Sequence, residues 1–329
     1  MARILVTGGA GFIGGHLAES FVADGHDVVT LDNFDPYYDA RIKEQNVEAG
    51  RRAAADSDGS YELVRGDIRD RETVDELVAD AEYVYHQAAQ AGVRADISPR
   101  KYNEVNVDGT MNLLEAARQH GVNRFVLASS SSVYGEYEYL PYDEAHPTRP
   151  VSTYGASKLA AERYTMVHAQ RYDLPAVALR YFTVYGPRMR PNMAISNFVS
   201  RCVDGKPPVI YGDGTQTRDF TYVGDVIAAN RELLTNDAAD GEVLNIGSTD
   251  NIAIETLAAE IRDQLAPDLE LEYTDGYDID ADHTHASIEK ATELLGYEPT
   301  YDIRGGVSQF ISWYQDNREW YESLVQSSA

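Results

Sequence analysis

The sequence predicts an α/β fold in which a parallel sheet is covered by helices on both faces and a smaller C-terminal lobe follows. Three observations carry this. A short apolar run, Ile4-Leu5-Val6, stops at the glycines of Thr7-Gly8-Gly9-Ala10-Gly11. Strand-like and helix-like segments then alternate as far as Tyr181. Beyond it the texture changes to glycine and proline punctuation, at Gly186-Pro187, Arg190-Pro191, Lys206-Pro207-Pro208 and Gly212-Asp213-Gly214. Alternation of this kind favours parallel strands joined by helical crossovers.

Taken in order, Arg3–Val6 reads as the first strand. A helix from Phe12 to Ala23 ends at Gly25, and Val28–Leu31 is the second strand. Further strands are expected at Tyr61–Val64, Tyr83–His86, Arg124–Ala128 and Ala176–Tyr181. Helices are expected over Val107–His120, Ser157–Arg171 and Ser287–Leu295. Arg41 to Ser60 breaks the rhythm: Arg51–Ser60 is small and polar, and the stretch reads as a surface insertion after a helix. Residues 1–180 are expected to form the first lobe, rejoined by about 208–230. Residues 181–207 and 231–329 would form the smaller one.

Composition narrows the function classes. The chain has 329 residues, and 43% of them are hydrophobic, enough for a sizeable core. A formal net charge of −26 argues against nucleic-acid partners, whose phosphates it would repel. Such an acidic surface suits either a halophilic protein, its self-repulsion screened by salt, or an acidic enzyme of the cytosol. No apolar run is long enough to span a bilayer, so no membrane partner is expected. No signal-peptide pattern opens the chain, and the expected location is cytoplasmic. Cys202, alone, reads as a buried bystander. His283-Thr284-His285 reads as a loop, and no metal is expected.

Gly8, Gly11 and Gly14 carry the spacing G-x-x-G-x-x-G between a strand and a helix, with Phe12 and Ile13 opening that helix. A tight turn, close backbone approach and a helix N-terminus together suit a dinucleotide pyrophosphate. Asp32, followed by Asn33, stands at the end of the second strand. A carboxylate there accepts from ribose hydroxyls and disfavours a 2′-phosphate, hence NAD over NADP. Tyr154 and Lys158 lie four apart, one helical turn. A tyrosine whose ordinary pKa is about 10 becomes a usable base when a neighbouring ammonium favours its phenolate. Ser130 is the third candidate, a hydroxyl placed to steady charge on a reacting oxygen.

These segments resemble the extended short-chain dehydrogenase/reductase family, which includes nucleotide-sugar epimerases and dehydratases. The matching stretches are TGGAGFIG, GDIRD at Gly66–Asp70, HQAAQAGVR at His86–Arg94, SSSSVYG at Ser129–Gly135, YGASK at Tyr154–Lys158 and LRYFTVYGP at Leu179–Pro187. The resemblance implies a Rossmann-type doubly wound sheet, bound NAD and a homodimer through paired helices. It places Asp67 and Ile68 at the adenine, Ala88, Ala89 and Tyr181 along the cofactor, and Asn106 near it. Lys158 would also bind the nicotinamide ribose.

On the substrate side it assigns Gln90, Asn192, Tyr211, Gln216, Arg218 and Asp280 to a UDP-sugar. Arg218 would grip the diphosphate. Thr183 and Arg190 resemble the pattern of UDP-glucuronate 4-epimerases, where an arginine meets the sugar carboxylate; a diphosphate contact is the alternative for Arg190. Related dehydratases and decarboxylases carry a carboxylate in the serine segment. Ser131 and Ser132 stand there, which favours epimerisation at C4 through a 4-keto sugar. UDP-glucose/UDP-galactose is the first expectation and UDP-glucuronate the second. A dehydratase, decarboxylase or reductase on the same fold, or an NAD-sensing module, are the alternatives.

Overall fold

The fold is described by a computed structural model covering residues 1–92, 97–248, 250–275 and 283–328; counts below refer to these residues. The first half alternates β1 (Arg3–Thr7), α1 (Phe12–Ala23), β2 (Asp27–Asp32), α2 (Ala40–Ala55), β3 (Ser60–Arg65), α3 (Arg71–Ala79) and β4 (Tyr83–His86). It continues with α4 (Pro99–Asn103), α5 (Gly109–His120), β5 (Arg124–Ser130), α6 (Thr153–Tyr172) and β6 (Ala176–Tyr181). The second half holds β7 (Thr183–Tyr185), α7 (Ala194–Val203), β8 (Val209–Tyr211), β9 (Thr217–Tyr222), α8 (Val223–Glu232) and β10 (Val243–Ile246). Last come β11 (Asn251–Ala253), α9 (Ile254–Leu265), β12 (Glu272–Thr274), α10 (Glu289–Leu295) and α11 (Ile303–Ser328). No helix among these is long and apolar enough to cross a membrane.

Seven parallel strands form the main sheet in the order β10-β6-β5-β4-β1-β2-β3. The order reverses between β1 and β4, and the strand ends there open a crevice, as in doubly wound nucleotide-binding folds. Successive side chains on a strand point to opposite faces. Ile4, Val6 and Val28 therefore enter one core, beneath α1, α2 and α8, while Leu5, Val29 and Leu31 enter the other, beneath α3, α5 and α6. Both faces are apolar because both are covered. Small sheets, β11-β9-β7 and β12-β8, build the second lobe.

Two expectations need correction. Arg51–Ser60 is not an insertion after a helix: α2 itself runs on to Ala55 and β3 begins at Ser60, and α2 buries Ile42, Lys43, Asn46, Val47, Ala49 and Gly50. Its apolar stripe is weak because two of the inward residues are polar and have polar partners. The return expected at 208–230 falls at the end of that window, where α8 begins at Val223, and it extends beyond it to β10. Residues 209–222 belong to the small sheets, and the chain rejoins through α8 against α1 and then β10 beside β6.

Beneath the sheet's C-terminal edge lies a buried ion pair. Glu162 of α6 and Arg180 of β6, with side chains 0% and 2% exposed, are bonded twice, at 2.7 and 2.9 Å. Ser129 Oγ donates to Glu162 at 2.8 Å. Arg180 donates to the Tyr134 hydroxyl at 2.8 Å, which donates to Asn245 Oδ1 at 2.6 Å. One network thus joins β5, α6, β6 and β10. Removing one member of a buried pair leaves the other charge without compensation. Glu162→Ala is expected to destabilise the fold by about 3–5 kcal/mol, read as a lower denaturant midpoint with an unchanged slope.

Candidate active site

A cleft of about 600 Å³ runs along the switch point between the lobes. The glycine turn forms one end. Gly8 has φ +67°, and a Cβ on Gly14 would stand 2.2 Å from the Gly8 carbonyl oxygen, so α1 can approach the turn only through glycine. Gly11 caps α1 without a side chain. The first-turn amides of a helix have no intrahelical acceptor, and here Phe12, Ile13 and Gly14 line the cleft beside Gly8 and Gly11. Asn46 of α2 donates to the carbonyls of Ala10 and Gly11, both at 2.9 Å, and fixes the turn from behind.

At the end of β2, Asp32 Oδ2 accepts from the Ala10 amide at 3.2 Å, while Oδ1 accepts from Phe34 N and Lys43 Nζ. Asp32 keeps lone pairs for a ribose hydroxyl. Lys43, also lining the cleft, escaped the sequence reading along with the full extent of α2; inward positions 42/43, 46/47 and 50 were its available signal. Asn33 donates to Asp67 at 2.8 Å, and with Ile68 they wall the same end. The two hydrogen bonds from Arg69 hold the Asp67 carboxyl well below the usual range. The glycine cradle, the uncapped helix end and the carboxylate beyond it fit NAD.

Farther along, Ala88, Ala89, Gln90 and Tyr181 line the middle of the cleft. Asn106 does not reach the cleft lining. It sits in a π-helical turn between α4 and α5, with its amide clamped to both backbone groups of Gln90 at 2.7 and 3.1 Å and to Ser157 Oγ at 2.9 Å. It braces the wall from behind.

Ser130, Tyr154 and Lys158 meet in the cleft. Ser152 caps α6 through the Gly155 amide at 3.0 Å, which starts the helix just before Tyr154 and sets Lys158 one turn on. In the protein without NAD, the lowering expected for the Tyr154 pKa is outweighed. Burial raises that pKa, opposed by a hydrogen bond with Ser130 and the positive charge of Arg190. Lys158 is itself brought down by burial to about 8, with Glu162 opposing the fall.

Among the substrate-side candidates, Thr183, Arg190 and Arg218 line the cleft with Gln90 and Ser130. Asn192, Tyr211 and Gln216 lie outside that lining. The Asn192 Oδ1 is buried with no hydrogen-bond partner, Tyr211 is half exposed on β8, and Gln216 Nε2 donates to the Tyr211 carbonyl at 3.0 Å. Asp280 falls outside the described residues. Tyr37 and Tyr38 line the cleft and were not anticipated.

Residues 4–247 match the profile of the NAD dependent epimerase/dehydratase family, and the chain belongs to that family. It is 37% identical to a putative UDP-glucose 4-epimerase of Methanocaldococcus jannaschii, covering 95% of this chain and 99% of that protein. The UDP-glucuronic acid 4-epimerase of Bacillus cereus, solved with UDP-glucuronic acid and NAD, superposes with a TM-score of 0.88 at 33% identity, covering 96% of this chain and 99% of that one. The UDP-glucose 4-epimerase of Thermotoga maritima, solved with UDP-glucose, gives 0.87 at 31% identity, again covering 96% and 99%.

Two predictions follow from the geometry. Tyr154→Phe keeps the ring and removes the proton carrier, so turnover is expected to fall about 10²–10⁴-fold with NAD still bound; activity within a few-fold of wild type would place the base elsewhere. The second concerns Lys158, whose folded value of about 8 lies below its ordinary 10.5. The unfolded chain therefore binds more protons between those values, and stability rises with pH across that window; the penalty is complete below it. Lys158→Met is expected to be inactive yet more stable without cofactor at pH 7, by about 3 kcal/mol. Denaturant midpoints should show this advantage shrinking towards pH 10.

Proposed function

We infer that this chain is an NAD-dependent UDP-sugar 4-epimerase, and we propose that its sugar is a hexuronate, with UDP-glucuronate and UDP-galacturonate interconverted. The observation carrying the sugar choice is Arg190. It lines the cleft, its charge acts on Tyr154, and among the described residues its side chain bonds Tyr37 and Met193 and pairs with no carboxylate. A guanidinium beside the reacting centre without a carboxylate of its own suits a carboxylate brought by the substrate. This moves the balance from UDP-glucose, the first expectation from sequence. Likeness to the Bacillus cereus enzyme supports the choice. Likeness to the Methanocaldococcus jannaschii and Thermotoga maritima proteins favours UDP-glucose as the second reading.

The glycine turn, Asp32 and Lys158 would hold NAD. When bound, NAD supplies a hydride acceptor and donor at sugar C4 and a positive ring charge near Tyr154. Tyr154 takes the O4 proton as C4 becomes a carbonyl, and returns it when the opposite face of the ketone is reduced. Ser130, whose hydroxyl acts to lower the Tyr154 pKa, donates towards the sugar oxygen and steadies its developing charge. The Lys158 ammonium lies one turn along α6 and favours the phenolate. Ser131 and Ser132 line the cleft here and offer no carboxylate to eliminate water or assist decarboxylation, so the ketone's outlet is reduction.

Arg190→Ala is expected to lower kcat/KM for UDP-glucuronate by about tenfold or more relative to UDP-glucose, since a hydrogen bond to a charged group is worth about 1.5–3 kcal/mol. Equal losses on both sugars would make Arg190 a diphosphate contact.

We also propose a homodimer through α6. Tyr164, Val167 and Tyr172 are 44, 45 and 53% exposed on that helix, and Arg118 of α5 lies over the Tyr172 ring. Light scattering should give twice 36.5 kDa for the wild type and a single chain for Tyr164→Asp combined with Val167→Asp. A monomeric wild type would contradict the dimer.

A further inference from the structure

The loop between β2 and α2 runs from the carboxylate of Asp32 to the sugar-side arginine. Three side-chain-to-amide bonds stiffen it: Phe34 N to Asp32 Oδ1 at 2.8 Å, Asp35 N to Asn33 Oδ1 at 2.9 Å, and Tyr37 N to Asp35 Oδ1 at 3.0 Å. Lys101 of α4 fastens it from the far side, bonding Asp35 at 2.9 Å. At the end of this chain of bonds, Arg190 Nη1 donates to the Tyr37 hydroxyl at 3.1 Å. The guanidinium carbon also stands 5.4 Å from the Tyr37 ring centroid. Gly92 makes room for the contact: a Cβ there would lie 2.2 Å from the Tyr37 hydroxyl oxygen. The other guanidinium end meets Met193 Sδ at 3.8 Å, a weak acceptor.

We propose that Tyr37 is the positioning residue for Arg190, holding the guanidinium by hydroxyl and ring face so that the enzyme prefers a uronate to a neutral hexose. The proposal rests on the reading of Arg190 as the carboxylate partner. A free arginine side chain samples many rotamers, and one fixed at two points is pre-organised for its ligand. The same loop begins at the ribose-side carboxylate, so the cofactor end and the sugar-selecting end of the cleft share one stiff segment.

The test compares kcat/KM for UDP-glucuronate and UDP-glucose in the NAD-loaded wild type, Tyr37→Phe, Arg190→Ala and the double variant. Tyr37→Phe keeps the ring and removes the acceptor. Its loss on UDP-glucuronate should exceed its loss on UDP-glucose by about fivefold, mostly through KM. In the Arg190→Ala background the same change should leave the sugar ratio where it was. Equal losses on both sugars, or an undiminished effect without Arg190, would overturn the assignment. So would loss of bound NAD in Tyr37→Phe in place of a changed ratio, since that marks a prop of the cofactor loop. If Arg190→Ala itself leaves the ratio intact, the uronate reading has failed and takes this assignment with it. If Arg190→Ala collapses the ratio and Tyr37→Phe does not, only the role of Tyr37 falls.

Discussion

The active cleft stands on the buried pair of Glu162 and Arg180. Arg180 ties β6 to α6, Ser129 ties β5 to the same carboxylate, and Tyr134 with Asn245 extends the tie to β10. Ser130 follows Ser129 directly, and Lys158 lies one turn before Glu162 on the same helix. The network therefore fixes the strand end that carries Ser130 against the helix that carries Lys158. It also supplies the negative charge that opposes the depression of Lys158. A buried pair of this kind contributes little net stability. What it contributes here is a fixed relation between a strand end and a helix face.

The remainder of the cleft applies the same device with neutral groups. Asn46 grips the glycine turn, and Asn106 grips Gln90 while bonding Ser157, three residues beyond Tyr154. Each is a buried amide satisfying backbone groups that the turns leave open, as buried polar groups require. The walls are thus rigid where NAD is held. At the sugar end, Arg190 pairs with no carboxylate among the described residues, and the proposed selection rests on its charge.

Much of this was legible in the sequence because it rests on local rules. The glycine spacing, the strand ending at Asp32, and Tyr154 four residues before Lys158 each follow from one element's geometry, and α1, β4 and β6 lie where periodicity puts them. The full extent of α2 was missed because Lys43 and Asn46 turn inward to polar partners, Asp32 and the glycine turn, and interrupt the apolar stripe of Ile42, Val47 and Ala49. Tyr37 was missed for a related reason: its partner Arg190 is distant in sequence, and only the fold brings them together. Asn106, Asn192, Tyr211 and Gln216 were placed by resemblance rather than by local geometry, and none of them lines the cleft. The direction of the Tyr154 shift also needed the fold, because spacing reveals a lysine but not the loss of water around a ring.

The central claim is that one carbon is oxidised and re-reduced within the cleft, with Tyr154 moving the proton and the same hydride returning. A UDP-sugar carrying deuterium at C4, incubated with the enzyme in ordinary water, tests this most directly by mass spectrometry of the separated epimers. The account predicts that the product epimer keeps the deuterium at C4 with no solvent hydrogen incorporated there. Washout of the label into water during epimerisation would contradict hydride return, and would point to inversion by removal of a carbon-bound proton.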